Sequence, residues 1–197
     1  MFPISHFNIT RTPFYYYDKT LLSNTLAKLI RLAGERNYHI HYAVKANANP
    51  EILKLIAASG IGADCVSGGE IKAALEAGFP AKKIVFAGVG KADWEIEYAL
   101  EKKIFCFNVE SAEELSVIEE LAKKKENIAS IALRINPNID AHTHEYITTG
   151  LSENKFGIPI EMLDSIFSQI QRSPHVQLVG FHFHIGSQIL NLETFHV

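Results

Sequence analysis

The sequence is poor in cysteine: Cys65 and Cys106 alone cannot build a disulfide framework, and no further cysteine completes a zinc set. It also has no apolar run near the roughly 18 residues that mark a spanning helix. Neither sign of charge dominates. Nineteen Lys and Arg against 22 Asp and Glu leave −3, with pI ≈ 6.3, so no basic surface for nucleic acid is indicated. GxGxxG and P-loop patterns are absent, which argues against a nucleotide site. The start, Met1-Phe2-Pro3-Ile4-Ser5-His6, lacks a basic end followed by an apolar stretch. No secretory leader is therefore expected, and a reducing cytoplasm is the expected compartment. What is present is ordinary for a soluble globular protein: 47% hydrophobic, 21% charged, mean hydropathy +0.04.

Short β-branched or aromatic runs alternate with longer helical patterns. Strands are predicted at 13–17, 38–44, 61–66, 83–86, 104–107, 129–135 and 176–183, and helices at 19–33, 70–77 and 160–172. Asn49-Pro50 reads as an N-cap with proline at the first helical position. Ser67-Gly68-Gly69-Glu70 and Ser111-Ala112-Glu113-Glu114 read as capping boxes, and Gly60 and Gly78 as helix stops. From residue 38 to residue 129 the strands start roughly 23 residues apart, the spacing of βα units on a parallel sheet. The next step is about double, because 136–159 inserts directly after a strand; in a barrel that is the catalytic face. Six βα-type strands fit either an open doubly wound sheet or three quarters of a barrel, and 197 residues is short for a closed barrel of about 250.

Five places carry potential chemistry. Lys45, in Tyr42-Ala43-Val44-Lys45-Ala46-Asn47, ends an apolar strand. Desolvation at such a position lowers the amine's basicity and frees it as a nucleophile for a carbonyl cofactor; the plain alternative is a solvated strand-end lysine. His184, in His182-Phe183-His184-Ile185-Gly186-Ser187, also ends a strand, where an imidazole can stack on a planar ring or move a proton. Gly186 allows close backbone approach, and Ser187 offers a hydroxyl and an N–H to an anion such as phosphate. His182 and His184 share a strand face, but no third ligand follows at metal spacing, so no metal is expected; His182 fits a hydrogen-bonded core histidine. Asp64 lies in an apolar strand and needs a partner if buried. Gly68-Gly69 at a helix start could approach phosphate. Arg134 near the end of an inner strand needs a carboxylate or phosphate, unless it faces the helix layer and reaches solvent. The insertion, with Asp140, His142, His144 and Tyr146, could line a substrate mouth or be a folded surface loop. Cys65 and Cys106 read as buried small hydrophobes.

These stretches together resemble the alanine-racemase-like, fold-type III pyridoxal phosphate enzymes, and among them most the diaminopimelate decarboxylases. The resemblance rests on YAVKANANP at 42–50, GADCVSGGE at 62–70, FAGVGK at 86–91, NVES at 108–111, LRINPNIDAHTHEYITTG at 133–150, ENKFGI at 153–158 and HFHIGSQI at 182–189, preceded by Thr12-Pro13-Phe14-Tyr15-Tyr16-Tyr17-Asp18. It covers nearly the whole chain. The Tyr-Gly-His continuation that racemases show after the lysine is absent.

The resemblance implies an α/β fold, a pyridoxal phosphate-binding (β/α)₈ TIM barrel of which about six of eight units are present. Residues 1–18 would be a strand segment of a β domain whose C-terminal part is absent, and 19–197 a partial barrel. It implies pyridoxal 5′-phosphate as cofactor, carried by Lys45 as a Schiff base, with His184 stacked on its ring, Gly186 and Ser187 at its phosphate, and Asp64 and Arg134 near it. The implied reaction converts meso-2,6-diaminopimelate to L-lysine and CO₂, in a cytoplasmic homodimer with no nucleic-acid or membrane partner. Other decarboxylases of the group, acting on carboxynorspermidine, ornithine or arginine, and non-catalytic pyridoxal phosphate-binding barrel proteins are the alternatives. The 197-residue piece alone is expected to be inactive and poorly stable, since an incomplete barrel exposes a parallel sheet edge.

Overall fold

The computed structural model describes residues 3–137 and 156–186. The chain divides into two compact units, Met1–Tyr38 and His39–Val197. The first holds helices α1 (Ile4–Ile9) and α2 (Lys19–Gly34). Asp18 caps α2 by accepting the Leu21 N–H at 2.9 Å. α1 escaped the sequence reading because it is short and buries no residue. Residues 13–17 are not the expected strand: no ladder forms there among the described residues. Aromatic β-propensity without a partner strand leaves extended chain. Rings hold it instead, with Phe7 packed against Phe14 and Tyr16 at 5.4 and 5.2 Å between centroids.

The second unit is a parallel sheet with covering helices. Its strands are β1 (His41–Ala43), β2 (Gly62–Cys65), β3 (Ile84–Phe86), β4 (Cys106–Val109), β5 (Ala129–Asn136), β6 (Ile158–Pro159) and β7 (Val176–His182). Pairing runs β1-β2-β3-β4-β5 in sequence order, and β5 then pairs both the short β6 and β7. Every pairing is parallel. The six strands expected from residue 38 onward all form; β6, two residues long, is additional.

The crossovers are α3 (Pro50–Ala58), α4 (Gly68–Ala77), α5 (Asp93–Lys102), α6 (Ala112–Lys124) and α7 (Leu163–Arg172). α3, α4, α5 and α6 pack neighbour to neighbour. Sequence markers start α3, α4 and α6 as expected. Asn49 Oδ1 accepts from the N–H groups of Glu51 and Ile52, and Ser67 and Ser111 accept from Glu70 and Glu114. The return bonds differ from a closed capping box: Glu70 and Glu114 reach one residue further back, to the N–H groups of Val66 and Glu110. Each helix start is thereby tied to the end of its preceding strand. Apolar residues fill the space between layers, with Phe79, Phe86, Phe107, Ile71, Ile118 and Leu133 nearly inaccessible. All four residues of β4 are buried, as a strand covered on both faces requires. β7 departs from that pattern: burial alternates along it, and Phe181 is half exposed.

One irregularity aims the site. Ile131 pairs Leu178, but Ala132 pairs Gly180, so Val179 is an extra residue in β7. This bulge brings His182, rather than Phe181, opposite Arg134.

Candidate active site

Because the strands are parallel, their C-terminal ends share one edge of the sheet, where ligands bind in α/β folds. Lys45 lies there, in a 3-10 turn directly after β1. It is exposed, not buried in the strand. Ala43 pairs Asp64 across to β2, and the Lys45 charge acts on that carboxylate. Burial pushes the Asp64 carboxyl above its ordinary value; Lys45 pulls it back and Glu70 adds to the push. Asp64 Oδ1 is buried without a hydrogen-bond partner among the described residues, so the partner expected from the sequence is not found there.

His182 closes β7, and its Nδ1 is likewise buried and unpartnered among the described residues. The hydrogen bond expected of a core histidine is therefore not found at that nitrogen. His184 lies just beyond the strand and is exposed. Burial lowers both imidazoles below the usual histidine range, and the Arg134 cation lowers them further. Lys45 also lowers His184, while Glu110 raises both. Gly186 follows with φ +153°. Ser187 and 138–155, which include Asp140, His142, His144 and Tyr146, lie outside the described residues.

Arg134 has the carboxylate the sequence demanded. Its Nη1 donates to both oxygens of Glu110, at 2.7 and 2.8 Å, and its guanidinium lies 5.5 Å from the Phe156 ring centroid. Gly157 turns the chain beside it at φ +98°, where a Cβ would sit 2.9 Å from the Arg134 carbonyl oxygen.

The sequence reading missed Glu110, Lys91 and the second role of Glu114. Lys91 is buried and donates to Gly88 O at 2.7 Å, Asn108 O at 2.9 Å and Glu114 Oε1 at 2.6 Å, which satisfies all three ammonium hydrogens. Its amine also lies 5.4 Å from the Phe86 ring centroid. Burial raises the Glu114 carboxyl and outweighs the opposing pull of Lys91. The available signal was position: Lys91 follows β3 and Glu110 follows β4, both at the sheet edge that holds Lys45.

The start of α4 is not a phosphate cradle. Glu95 Oε1 already accepts the Gly68 N–H at 2.6 Å, and the Trp94 ring lies over Gly68. Cys65 and Cys106 are buried, and burial pushes their thiols up to about 12 and about 11. They are inert fillers, as read from the sequence. Among the described residues no group of three or more His, Cys, Asp or Glu could hold a metal ion.

A lysine amine, two histidines, a carboxyl and a paired arginine thus gather at one sheet edge. Comparison with known proteins gives that set its context. Residues 23–197 match the family profile "Pyridoxal-dependent decarboxylase, pyridoxal binding domain". The chain belongs to this family. It is 58% identical over 196 residues to the diaminopimelate decarboxylase of Bacteroides thetaiotaomicron, covering 99% of this chain and 51% of that protein. The crystal structure of diaminopimelate decarboxylase from Helicobacter pylori complexed with L-lysine superposes with TM-score 0.86 at 46% identity, over 97% of this chain and 48% of that one. The enzyme from M. jannaschii, also in complex with L-lysine, gives 0.88 at 38% identity, over 98% and 46%. The chain spans about half the length of the curated relatives it matches.

The fold is accordingly the pyridoxal-binding α/β domain of the fold-type III decarboxylases, and the cofactor is pyridoxal phosphate. The residues present fit that group. An exposed lysine amine suits an aldehyde, and the orphaned Asp64 Oδ1 and His182 Nδ1 suit a polar ring compound that would supply their missing partners.

Proposed function

We propose that the complete protein carrying this sequence decarboxylates meso-2,6-diaminopimelate at its D-centre, giving L-lysine and CO₂. The 58% identity to a diaminopimelate decarboxylase across the whole of this chain supports this reading above all. When bound, pyridoxal phosphate supplies the electron sink that lets a carboxylate leave as CO₂. The chain's residues do the rest. Lys45 supplies the amine that holds the cofactor. His184 presents its ring to the cofactor ring, and its lowered basicity keeps that imidazole neutral near pH 7. Gly186 and Ser187 serve the phosphate. Asp64, raised by burial, holds or gives up a proton beside Lys45. Arg134 fixes positive charge at the mouth.

The reading extends to the assembly. Residues 1–18 belong with a β domain and 19–197 form the greater part of a TIM barrel, within a cytoplasmic homodimer. Among the described residues no helix is long and apolar enough to cross a membrane.

A substrate panel tests the function. The purified complete gene product, supplied with cofactor, is expected to form lysine and CO₂ from meso-diaminopimelate and to leave ornithine, arginine and carboxynorspermidine unchanged. Turnover of one of those three with none of diaminopimelate would overturn it.

A further inference from the structure

Four buried charges span three strand ends. Side-chain exposure is 1% for Lys91, 13% for Glu114, 4% for Glu110 and 12% for Arg134. Every other ion pair among the described residues has both side chains at least 27% exposed. The four form one connected path. Lys91, after β3, holds Glu114 at 2.6 Å; Glu114 Oε2 accepts the Glu110 N–H at 2.7 Å; the Glu110 carboxylate grips Arg134 of β5 at 2.7 and 2.8 Å. Its signs run plus, minus, minus, plus, so the cluster is neutral overall.

Stability is a poor reason for this arrangement. Desolvating four charges is expensive, and well-packed apolar residues often serve as well or better. What such a network does well is fix geometry, because every bond in it is charge-assisted and directional. Its far end meets the site: Arg134 lies across from His182 in the β5–β7 register and stacks on Phe156.

We propose that Glu110 is a positioning residue of the cofactor site: it fixes the Arg134 guanidinium beside the histidines of β7, while the Lys91–Glu114 pair fixes Glu110. The proposal rests on the pyridoxal phosphate reading above. Its part in holding the cofactor runs through Arg134, so the effect of its loss on cofactor binding is absorbed once Arg134 is gone.

A double-mutant cycle on the complete gene product tests this, read as the dissociation constant of pyridoxal phosphate from absorbance titration of the apoprotein, with the apoprotein's thermal midpoint measured alongside. The parent is titrated first; failure to take up cofactor overturns the functional reading and this proposal with it. Given a binding parent, Glu110→Gln is expected to weaken cofactor binding roughly tenfold or more, the scale of one charged hydrogen bond. Glu110→Asp should recover part of that loss. In an Arg134→Met background, Glu110→Gln should add nothing. Parent-like affinity in Glu110→Gln, or losses that multiply in the double variant, would overturn the proposal. If Glu110→Gln does not fold, Glu110→Asp decides. Weakened binding at an unchanged thermal midpoint supports the proposal, and unchanged binding contradicts it.

Discussion

Arg134 and Glu110 meet through a single guanidinium nitrogen, with Nη1 2.7 Å from one carboxylate oxygen and 2.8 Å from the other. The pair joins the end of β5 to the residue that follows β4, and its two charges act with opposite sign on His182 and His184.

That opposition makes a signed prediction. Arg134→Met should move the titration midpoints of both imidazoles upward, and Glu110→Gln should move them downward, as followed by NMR of the ring protons. Movement in the same direction for the two variants would contradict the charge arrangement. The sign for stability follows. Because the folded values lie below 6.5, both histidines contribute stability that is present above pH 6.5 and lost as pH falls through their lowered values.

Lys91→Met leaves the Glu114 carboxylate buried without its cation. Chemical denaturation should show a loss of about 3–5 kcal/mol. Removing both charges, in Lys91→Met with Glu114→Gln, should cost less than Lys91→Met alone. A double variant as unstable as the sum of the singles would show that the two side chains do not act as a pair.

Much of this site was legible in the sequence because strand ends announce themselves. Lys45 and His184 follow apolar runs, Asp64 and Arg134 lie near the ends of theirs, and parallel strands bring such ends to one edge. Glu110 and Glu114 were hidden for the opposite reason. Glu114 sits where a capping residue belongs, and does cap, so its ion pair with Lys91 was masked by a sufficient local explanation. The bulge at Val179 shows in register against β5, beside Gly180, a residue type that often marks one but does not fix its position. The strand expected at 13–17 failed because propensity does not supply a partner. The α4 glycines suggested a phosphate cradle because Glu95, which occupies that position, lies 27 residues away in sequence.

Gly157 lies at a left-handed φ of +98°, and a Cβ there would meet the Arg134 carbonyl. Gly157→Ala should destabilise the chain by about 1–3 kcal/mol, since the carbonyl in its way belongs to a strand and cannot swing aside. Equal urea midpoints for parent and variant would contradict the tight turn.

Asp64 should behave as a carboxyl whose ionisation opposes folding. Its folded value is raised above the ordinary 3.8 by burial. Its contribution is therefore fully present below pH 3.8 and lost as pH rises through the raised value. In the apoprotein, Asp64→Asn should be the more stable form at neutral pH, with the difference shrinking toward pH 3.8. A constant difference across that range would show that Asp64 does not titrate with folding.

The account turns on Lys45 as the residue that holds the cofactor. Borohydride reduction of the complete gene product loaded with pyridoxal phosphate, followed by peptide mass analysis, reads this directly. The account predicts the pyridoxyl group on the peptide containing Lys45, and no fixed cofactor in Lys45→Ala. Cofactor fixed to another lysine, with Lys45 unmodified, would contradict it.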